Sequence, residues 1–341
     1  MKVKKTIYIV FLITLVTVLF TGCKKEETTI SPISESKFKL NTIVTLTIYD
    51  STDTTILEKA FEICDYYENL YSRTKETSEL YKLNHRLLEE ANENSFVISQ
   101  ELYDLIGAGL EYGILSKGNF DITIAPISSL WDFTSSDSSV PNSTDIENAI
   151  SLVNYKDISL SENKITLKEG MAIDLGAIAK GYIADRIKDF LLSQGVKSAM
   201  INLGGNVLCV GEKPDGSPFR IGIQKPFADR NETISVMEIK DKSVVSSGIY
   251  ERYIMEDDVL YHHILDPKTG YSYNNDLVSV TIISNTSVDG DGLSTSCFAL
   301  GLEDGMALVN SLEDVQAVFI TSDYELHYSD NFFEEITVTE Q

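Results

Sequence analysis

Short β-type segments dominate the second half of the chain, and this pattern limits the possible folds more than any other feature. The candidate strands, rich in β-branched and aromatic residues, are Lys164–Leu167, Ser198–Leu203, Phe219–Gln224, Ser243–Ser246, Tyr261–Leu265 and Val278–Ile283. Two helical segments, Ala177–Gln194 and about Gly292–Leu300, interrupt them without a regular β–α alternation. Earlier in the chain, Asn41–Tyr49 predicts a strand, and Thr55–Tyr71 and Glu101–Leu115 have helical spacing. We therefore predict an α+β fold.

The N-terminus has the pattern of a lipoprotein signal. Three lysines precede an uncharged, largely apolar run, Ile7–Phe20, and small residues then lead directly to Cys23. The run is too short for a comfortable membrane span. We predict a signal peptide at residues 1–22, lipidation of Cys23, a flexible polar tether over 23–37 and one folded domain over 38–341. An ordinary signal peptide or an uncleaved anchor are the alternatives.

Charge and cysteine content exclude several functions. The formal net charge is −24, and removal of the three leader lysines would leave about −27. Such a surface repels nucleic acid and anionic lipid headgroups, so we expect no nucleic-acid partner. Cys64, Cys209 and Cys297 each lie in an apolar setting. We predict that they are small buried residues and take no part in disulfides or metal binding.

The segment Asp174–Asp185, DLGAIAKGYIAD, follows a short apolar strand and opens a helix. Backbone amides at such a junction can bind a phosphate, and Lys180 would add a positive charge. The residues alone also allow a simpler interpretation, in which Asp174 caps the helix and Lys180 is a solvated surface charge.

The segment Asp289–Leu300, DGDGLSTSCFAL, leads into the next helix. Asp291 and Thr295 are four residues apart, so on a helix their oxygens face the same way and can converge on a hard cation. A helix-capping Asp followed by an ordinary helical Thr is the alternative.

A third segment, Tyr261–Tyr271, reads YHHILDPKTGY and resembles a strand that ends in a turn. Side chains of adjacent strand residues point to opposite faces, so His262 and His263 have different surroundings. An imidazole at a strand end beside a carboxylate can accept a proton near neutral pH. A structural histidine is the alternative.

Seven segments occur in the order found in the ApbE family of FAD:protein FMN transferases, which this chain resembles from about Leu40 to Thr321. The segments are Gly118–Pro126, Asp174–Asp185, Asn202–Asn206, Gly222–Pro226, Ser246–Tyr253, His262–Tyr271 and Asp291–Thr295. The resemblance implies a T-fold-like domain with mixed, mainly antiparallel sheets and packed helices. Neither a GxGxxG nor a Walker-type loop is present, so a dinucleotide would be held by other means.

The resemblance also implies a set of site residues. The flavin contacts that it implies are Leu40, Thr74, Trp131, Asp132, Phe133, Asp174, Lys180 and Ile264. The Mg²⁺ ligands would be the main-chain oxygen of Ala177 and the side chains of Asp291 and Thr295, and His263 would be the general base. Relatives often have an aromatic residue at the position of Thr74.

The implied activity is Mg²⁺-dependent transfer of the FMN half of FAD, as a phosphoester, onto a threonine or serine hydroxyl of an acceptor protein, releasing AMP. The acceptor would carry an FMN-binding domain of a membrane or extracellular redox system. The enzyme would be lipid-anchored on the extracytoplasmic side of the cell membrane. Two alternatives remain: an FAD pyrophosphatase that yields FMN and AMP, and a non-catalytic flavin-binding surface lipoprotein.

We predict that Cys23→Ser yields a catalytically normal protein that no longer fractionates with membranes, because the tether separates the lipid from the chemistry. Membrane fractionation and AMP release from FAD measure the two properties. Continued dependence on detergent for extraction of the variant would contradict lipidation at this residue.

Overall fold

Strands and helices make up most of the computed structural model, which describes residues 30–135, 138–229 and 231–340. In chain order the strands are β1 (Ile33–Lys39), β2 (Thr42–Ile48), β3 (Glu90–Asn92), β4 (Ser95–Val97), β5 (Ser159–Ser161), β6 (Lys164–Thr166), β7 (Ser198–Leu203), β8 (Asn206–Gly211), β9 (Phe219–Gln224), β10 (Thr233–Ile239), β11 (Ser243–Gly248), β12 (Tyr253–Glu256), β13 (Val259–His262), β14 (Leu277–Ser284), β15 (Gln316–Thr321), β16 (Leu326–Tyr328) and β17 (Thr337–Glu340). The helices are α1 (Thr54–Tyr71), α2 (Glu79–Asn84), α3 (Gln100–Leu115), α4 (Ala125–Ser128), α5 (Ser143–Ile150), α6 (Ala179–Ser193), α7 (Ser287–Asn310) and α8 (Phe332–Glu335), with a 3₁₀ turn at Tyr155–Asp157.

An eight-stranded antiparallel sheet, in the order β1-β2-β7-β8-β11-β14-β15-β16, forms the centre of the fold. The smaller sheets β17-β10-β9, β12-β13 and β3-β4-β6-β5 are also antiparallel. The predicted α+β fold with mainly antiparallel sheets is therefore confirmed.

Two inner strands of the large sheet are buried on both faces. Every residue of β14 and β15 is buried. Ile282 packs in the cluster formed with α1, α3, α6 and α7, whereas Ile283 packs with Phe219 and Met237 of the sheet β17-β10-β9. Because successive side chains of a strand point to opposite faces, one strand contributes to both cores. The sheet thus has helices on one side and a small sheet on the other.

Two predicted elements differ from the structure by more than two residues at a boundary. The predicted strand Tyr261–Leu265 ends at His262, and Leu265 makes one isolated bridge to Ser272. The helix predicted at Gly292–Leu300 is α7, which begins at Ser287 and contains one non-helical residue, Gly301. The Thr286 side chain caps α7 by accepting a hydrogen bond from the Asp289 amide, so the whole segment Asp289–Leu300 lies inside the helix.

The predicted tether, residues 23–37, shares its last five residues with β1. Hydroxyl pairs stabilise this edge strand, with 2.8 Å between the oxygens of Ser34 and Thr47 and between those of Ser36 and Thr45. Its alternating polar side chains made it resemble a linker. The predicted signal peptide and Cys23 lie outside the described residues.

The three remaining cysteines, Cys64, Cys209 and Cys297, are free and buried, as predicted. Burial raises the pKa of each thiol to about 12, which keeps them protonated and unreactive. Among the described residues, no helix is long and apolar enough to cross a membrane.

Helices α6 and α7 cross in close contact at Gly181. A Cβ atom at Gly181 would lie 2.2 Å from the carbonyl oxygen of Ser287. Asp185, one turn further along α6, accepts hydrogen bonds from the amides of Ser287 (2.7 Å) and Val288 (2.9 Å). Its carboxylate thereby binds the positive end of α7, while burial raises its pKa to about 6.

We predict that Gly181→Ala lowers the free energy of unfolding by about 1–3 kcal/mol, because the added methyl group forces α6 and α7 apart. Urea denaturation measures the change. Gly107→Ala in α3 is the matched control, since its Cβ would meet only Leu160, at 4.0 Å. Equal stability of the two variants would contradict the close crossing.

Candidate active site

The N-terminus of α6 meets a buried carboxylate from α7. Asp291 is 4% exposed. Its Oδ2 accepts a hydrogen bond of 2.6 Å from the Gly181 amide, and its Oδ1 accepts one of 3.0 Å from the Asn206 side chain. Lys180 Nζ lies 3.8 Å from Oδ1. The negative charge is therefore held by the positive end of a helix and by one nearby cation.

This contact frees the carbonyl oxygen of Ala177. In a regular helical turn, the amide of Gly181 would donate to that oxygen, four residues earlier. Here the amide donates to Asp291, and α6 begins only at Ala179. Among the described residues no hydrogen bond reaches the Ala177 carbonyl oxygen. A main-chain oxygen without a protein donor is thus available beside a buried carboxylate.

Thr295 lies one turn after Asp291 on α7, as its spacing predicted. It is half-buried, whereas its neighbours Ser294 and Ser296 are fully buried. Its Oγ1 is 3.1 Å from the Ser247 hydroxyl of β11, which is 2.8 Å from the Ser294 hydroxyl. The end of β11 therefore fixes the position of the Thr295 hydroxyl.

The donor set suits a hard cation. Within residues 30–135, 138–229 and 231–340, no group of three or more His, Cys, Asp or Glu side chains could hold a metal ion. Ala177, Asp291 and Thr295 instead offer a carbonyl, a carboxylate and a hydroxyl oxygen. Oxygen-only sets with few carboxylates fit Mg²⁺, which retains waters or substrate phosphates as its other ligands, and do not fit zinc or copper.

Asp174 belongs to a second cluster, which anchors the loop before α6. Its Oδ2 is 2.9 Å from both Arg73 Nε and the Ser128 hydroxyl, and its Oδ1 accepts from the Gly176 amide. Arg73 also donates to the Ser129 hydroxyl at 2.9 Å. The alternative in which Asp174 caps α6 is wrong, because the residue before α6 is Ile178 and no side chain caps the helix there.

An aromatic cluster begins at Trp131, three residues after Ser128, which binds Asp174. The rings of Trp131 and Phe133 are parallel, with centroids 5.4 Å apart, and Tyr261 and Tyr271 pack against the Trp131 ring. The Trp131 indole donates to the Gly270 carbonyl at 3.0 Å, which joins this segment to the turn after His263. Asp132 is exposed and accepts hydrogen bonds from Thr134 and Ser135 of its own loop.

The two histidines have opposite surroundings, as strand alternation predicted. His262 is 3% exposed, its Nε2 is bonded to the Tyr273 carbonyl at 2.9 Å, and its Nδ1 accepts from the Ile264 amide at 3.3 Å. These partners fix one neutral tautomer, and burial lowers the pKa of His262 to about 4. His262 is therefore a structural residue.

His263 is half-buried, with its Nδ1 3.3 Å from the Arg252 carbonyl. Although part of its surface is accessible, enough protein surrounds the ring that burial lowers its pKa to about 4. The charges of His262, Arg252 and Lys180 add to this effect, and the hydrogen bond to the Arg252 carbonyl opposes it. At neutral pH the imidazole is uncharged and can accept a proton.

The remaining predicted flavin contacts differ in accessibility. Leu40 is half-buried at the turn between β1 and β2, with φ 54°. Thr74 is exposed and directly follows Arg73. Ile264 is 6% exposed and packs in the main core.

Sequence reasoning missed Arg73, Asn206, Ser247 and Asp185, which hold Asp174, Asp291, Thr295 and the start of α7. Each partner lies far away in sequence, so local spacing gives no signal for it. Asn206 and Ser247 do lie in motif segments that carry the resemblance, and Asp185 closes another; Arg73 lies in none of them.

The chain is similar to known proteins over most of the folded domain. The sequence model of the ApbE family matches residues 40–319. A protein of Klebsiella pneumoniae (strain 342) named FAD:protein FMN transferase is 37% identical over 296 residues, which cover 86% of this chain and 90% of that protein. One with the same name from Treponema pallidum (strain Nichols) is 31% identical over 298 residues, with 83% and 81% covered.

The crystal structure of the ApbE protein from Thermotoga maritima has the same fold. It superposes with a TM-score of 0.80 at 30% identity, over 89% of this chain and 99% of that one. Sequence and structure agree over most of the chain, and the chain belongs to the ApbE family.

Proposed function

We propose that this protein transfers FMN from FAD to a threonine or serine hydroxyl of an acceptor protein, in a Mg²⁺-dependent reaction that forms a phosphoester and releases AMP. The observation that carries the proposal is the start of α6, where the Gly181 amide binds the Asp291 carboxylate instead of the Ala177 carbonyl, and Lys180 Nζ lies 3.8 Å from that carboxylate. The names of the relatives support flavin transfer.

Ala177, Asp291 and Thr295 would hold the Mg²⁺. Bound there, the ion would supply positive charge that neutralises the pyrophosphate of FAD. The hydrogen bonds from Gly181 and Asn206 keep the Asp291 carboxylate in one orientation. The donors are therefore positioned before any ligand arrives, which lowers the cost of ordering the site.

The protein itself supplies the remaining positive potential. The first turn of α6 directs its amide dipoles towards the same point, and Lys180, whose side chain is 34% exposed, adds a mobile cation. This local potential offsets the net charge of −24, which would otherwise repel an anionic dinucleotide.

The flavin would lie between the loop held by Asp174 and the Trp131–Phe133 pair. Of the stacked pair, Trp131 is 5% exposed and Phe133 is half-buried, so the Phe133 ring would offer the flat, apolar face against which an isoalloxazine ring packs. Arg73 fixes Asp174, and the Trp131 indole is fixed by Gly270. The Asp174 loop and the Trp131–Phe133 pair are therefore both held in place by hydrogen bonds.

His263 would remove the proton from the acceptor hydroxyl. The hydroxyl oxygen attacks the phosphorus on the FMN side of the pyrophosphate, and the proton passes to the imidazole. The new oxygen–phosphorus bond replaces the bond to the bridging oxygen, which leaves with AMP. Water in place of the acceptor would yield free FMN and AMP by the same route.

For its location, we propose a lipid anchor on Cys23 and an extracytoplasmic position, on the grounds of the N-terminal sequence. The acceptor would then be a protein with an FMN-binding domain, exposed on that side of the membrane.

The proposal is tested by incubating the full chain in detergent with FAD, Mg²⁺ and membranes from cells that lack its gene. We expect AMP, measured by chromatography, and a membrane protein that gains an FMN phosphoester, measured by mass spectrometry. FMN and AMP without a labelled protein would favour the pyrophosphatase. Flavin binding with no AMP under any condition would favour a non-catalytic binding protein.

We predict that Asp291→Asn abolishes transfer and removes the rise in melting temperature that Mg²⁺ gives the wild type, because the amide loses the charge that binds the ion. Asp291→Ala should in addition destabilise the fold by about 1–3 kcal/mol, since it leaves the buried Gly181 and Asn206 donors without an acceptor. Thermal unfolding at several Mg²⁺ concentrations separates the two effects. Normal transfer by either variant at low Mg²⁺ would refute this role of Asp291.

We predict that His263→Ala lowers the transfer rate about 10²- to 10⁴-fold with little change in FAD affinity, the range for a positioned base. The wild-type rate should stay level as the pH is lowered from 7 and fall only towards the His263 pKa of about 4. The sign follows because the base must be unprotonated, and its lowered pKa keeps it so. Single-turnover rates across this range provide the measurement.

His262→Gln is the comparison variant for this test. It should lower stability through the lost Tyr273 and Ile264 contacts, and its folded fraction should transfer FMN at near the normal rate. Identical rate losses in the two variants would argue against His263 as the base.

A further inference from the structure

A cation lies on the same face of the β12–β13 hairpin as the proposed base. Tyr253 is paired with His262 across this hairpin. The His263 amide donates to the Arg252 carbonyl at 3.1 Å, so the pairing extends by one residue on each strand. Residues that are directly opposite each other in an antiparallel pair project to the same side of the sheet. Arg252 and His263 therefore project to one face of the hairpin, and the exposed Tyr253 projects to the other.

The face that carries Arg252 also meets the aromatic cluster. Ile254 and Tyr261 are paired across the hairpin and pack in the cluster around Trp131. The ring centroids of Tyr261 and Trp131 are 5.6 Å apart. Arg252 and His263 follow on the same face, two residues or about 7 Å further along each strand. They lie at the open end of the hairpin, next to the cluster against which the flavin would pack.

The open end of the hairpin is held close to Thr295 of α7. The Ser247 hydroxyl is 3.1 Å from the Thr295 hydroxyl, and Arg252 follows Ser247 by only five residues, a span of at most about 17 Å. From the other strand, the His262 ring is in edge contact with Phe298, with centroids 5.6 Å apart. Phe298 lies three residues after Thr295 on α7, about 4.5 Å along the helix axis. The end that carries Arg252 is thus near both the aromatic cluster and the Thr295 hydroxyl.

The Arg252 guanidinium is available to bind an anion. The residue is exposed, and in the part of the chain that the structure describes no carboxylate or other acceptor is bonded to its side chain. By contrast, Arg73, Arg86 and Arg186 each bind oxygen atoms of the protein. An arginine that lies beside the proposed base and lacks an anionic partner therefore suits an anionic group of the substrate.

We propose that Arg252 binds the phosphate on the FMN side of the FAD pyrophosphate. The proposal rests on the proposed transfer function, in which His263 takes the proton from the hydroxyl that attacks this phosphate. Because Arg252 shares the face of the base, its charge lies next to the attacked group. A guanidinium can donate two parallel hydrogen bonds to a phosphate, which fixes the orientation of the phosphate and neutralises its charge. Arg252 would add to the positive charge that Lys180 supplies at the start of α6.

The test measures the binding of riboflavin, FMN and FAD to the full chain in detergent with Mg²⁺, by flavin fluorescence anisotropy, together with AMP release from FAD. Riboflavin lacks a phosphate, whereas FMN carries the phosphate that Arg252 would bind. Arg252→Gln removes the charge, and Arg252→Lys keeps the charge without the paired donors. Arg220→Gln is the matched control, because Arg220 lies on β9 of the small sheet, which the central sheet separates from α6 and α7.

We expect Arg252→Gln to bind FMN and FAD about 10-fold or more weakly than the wild type, as the loss of a hydrogen bond to a charged group implies. Its affinity for riboflavin should be unchanged. The FMN affinity of Arg252→Lys should lie between those of Arg252→Gln and the wild type, and Arg220→Gln should bind all three flavins normally.

Two outcomes would overturn the phosphate contact and leave the transfer function intact. One is an FMN affinity of Arg252→Gln equal to that of the wild type. The other is an equal loss of riboflavin and FMN affinity in Arg252→Gln, which would mean that the substitution disturbs the flavin surface instead of a phosphate contact. A wild type that binds FMN more tightly than Arg252→Gln does, but never releases AMP from FAD, would support the contact and refute the transfer function.

Discussion

The site depends on two carboxylates, one on each of two crossing helices, because each carboxylate binds the first amides of the other helix. Asp185 of α6 binds the first amides of α7, and Asp291 of α7 binds the Gly181 amide in the first turn of α6. Each helix thus supplies the negative group that the positive end of the other requires. Gly181 permits the close contact, because any side chain there would overlap Ser287. Because the Gly181 amide donates to Asp291, it does not donate to the Ala177 carbonyl.

The same constraint explains how an acidic protein can act on an anionic dinucleotide. In the proposed site, one helix end and Lys180, together with a bound cation, would supply the local positive potential, whereas the net charge of the chain is negative. The central sheet makes this arrangement rigid: Asn206 at the start of β8 and Ser247 near the end of β11 hold Asp291 and Thr295.

Most helices and strands could be predicted from the sequence, whereas most contacts between residues that are distant in sequence could not. Strands such as Ser198–Leu203 and Phe219–Gln224 were predicted with their observed bounds, because apolar residues at every second position form a local pattern. The resemblance to the ApbE family predicted a set of site residues from their positions in the motifs: Asp174, Lys180, Asp291, Thr295 and His263. The contacts that explain those positions could not be predicted from the sequence. Asp291 was expected at a helix start, whereas it is buried in α7 and its Gly181 partner is 110 residues away. Burial also moves the pKa of His263 below the ordinary imidazole value, which composition does not reveal.

We propose that the helix crossing creates a metal site from the Ala177 carbonyl, Asp291 and Thr295. A crystal structure with FAD and Mn²⁺, in which anomalous scattering locates the ion, tests it most directly. The account predicts one ion bonded to these three oxygens and to the pyrophosphate. An ion bound elsewhere while FAD occupies the site, or a Gly181 amide that has returned to the Ala177 carbonyl, would contradict it.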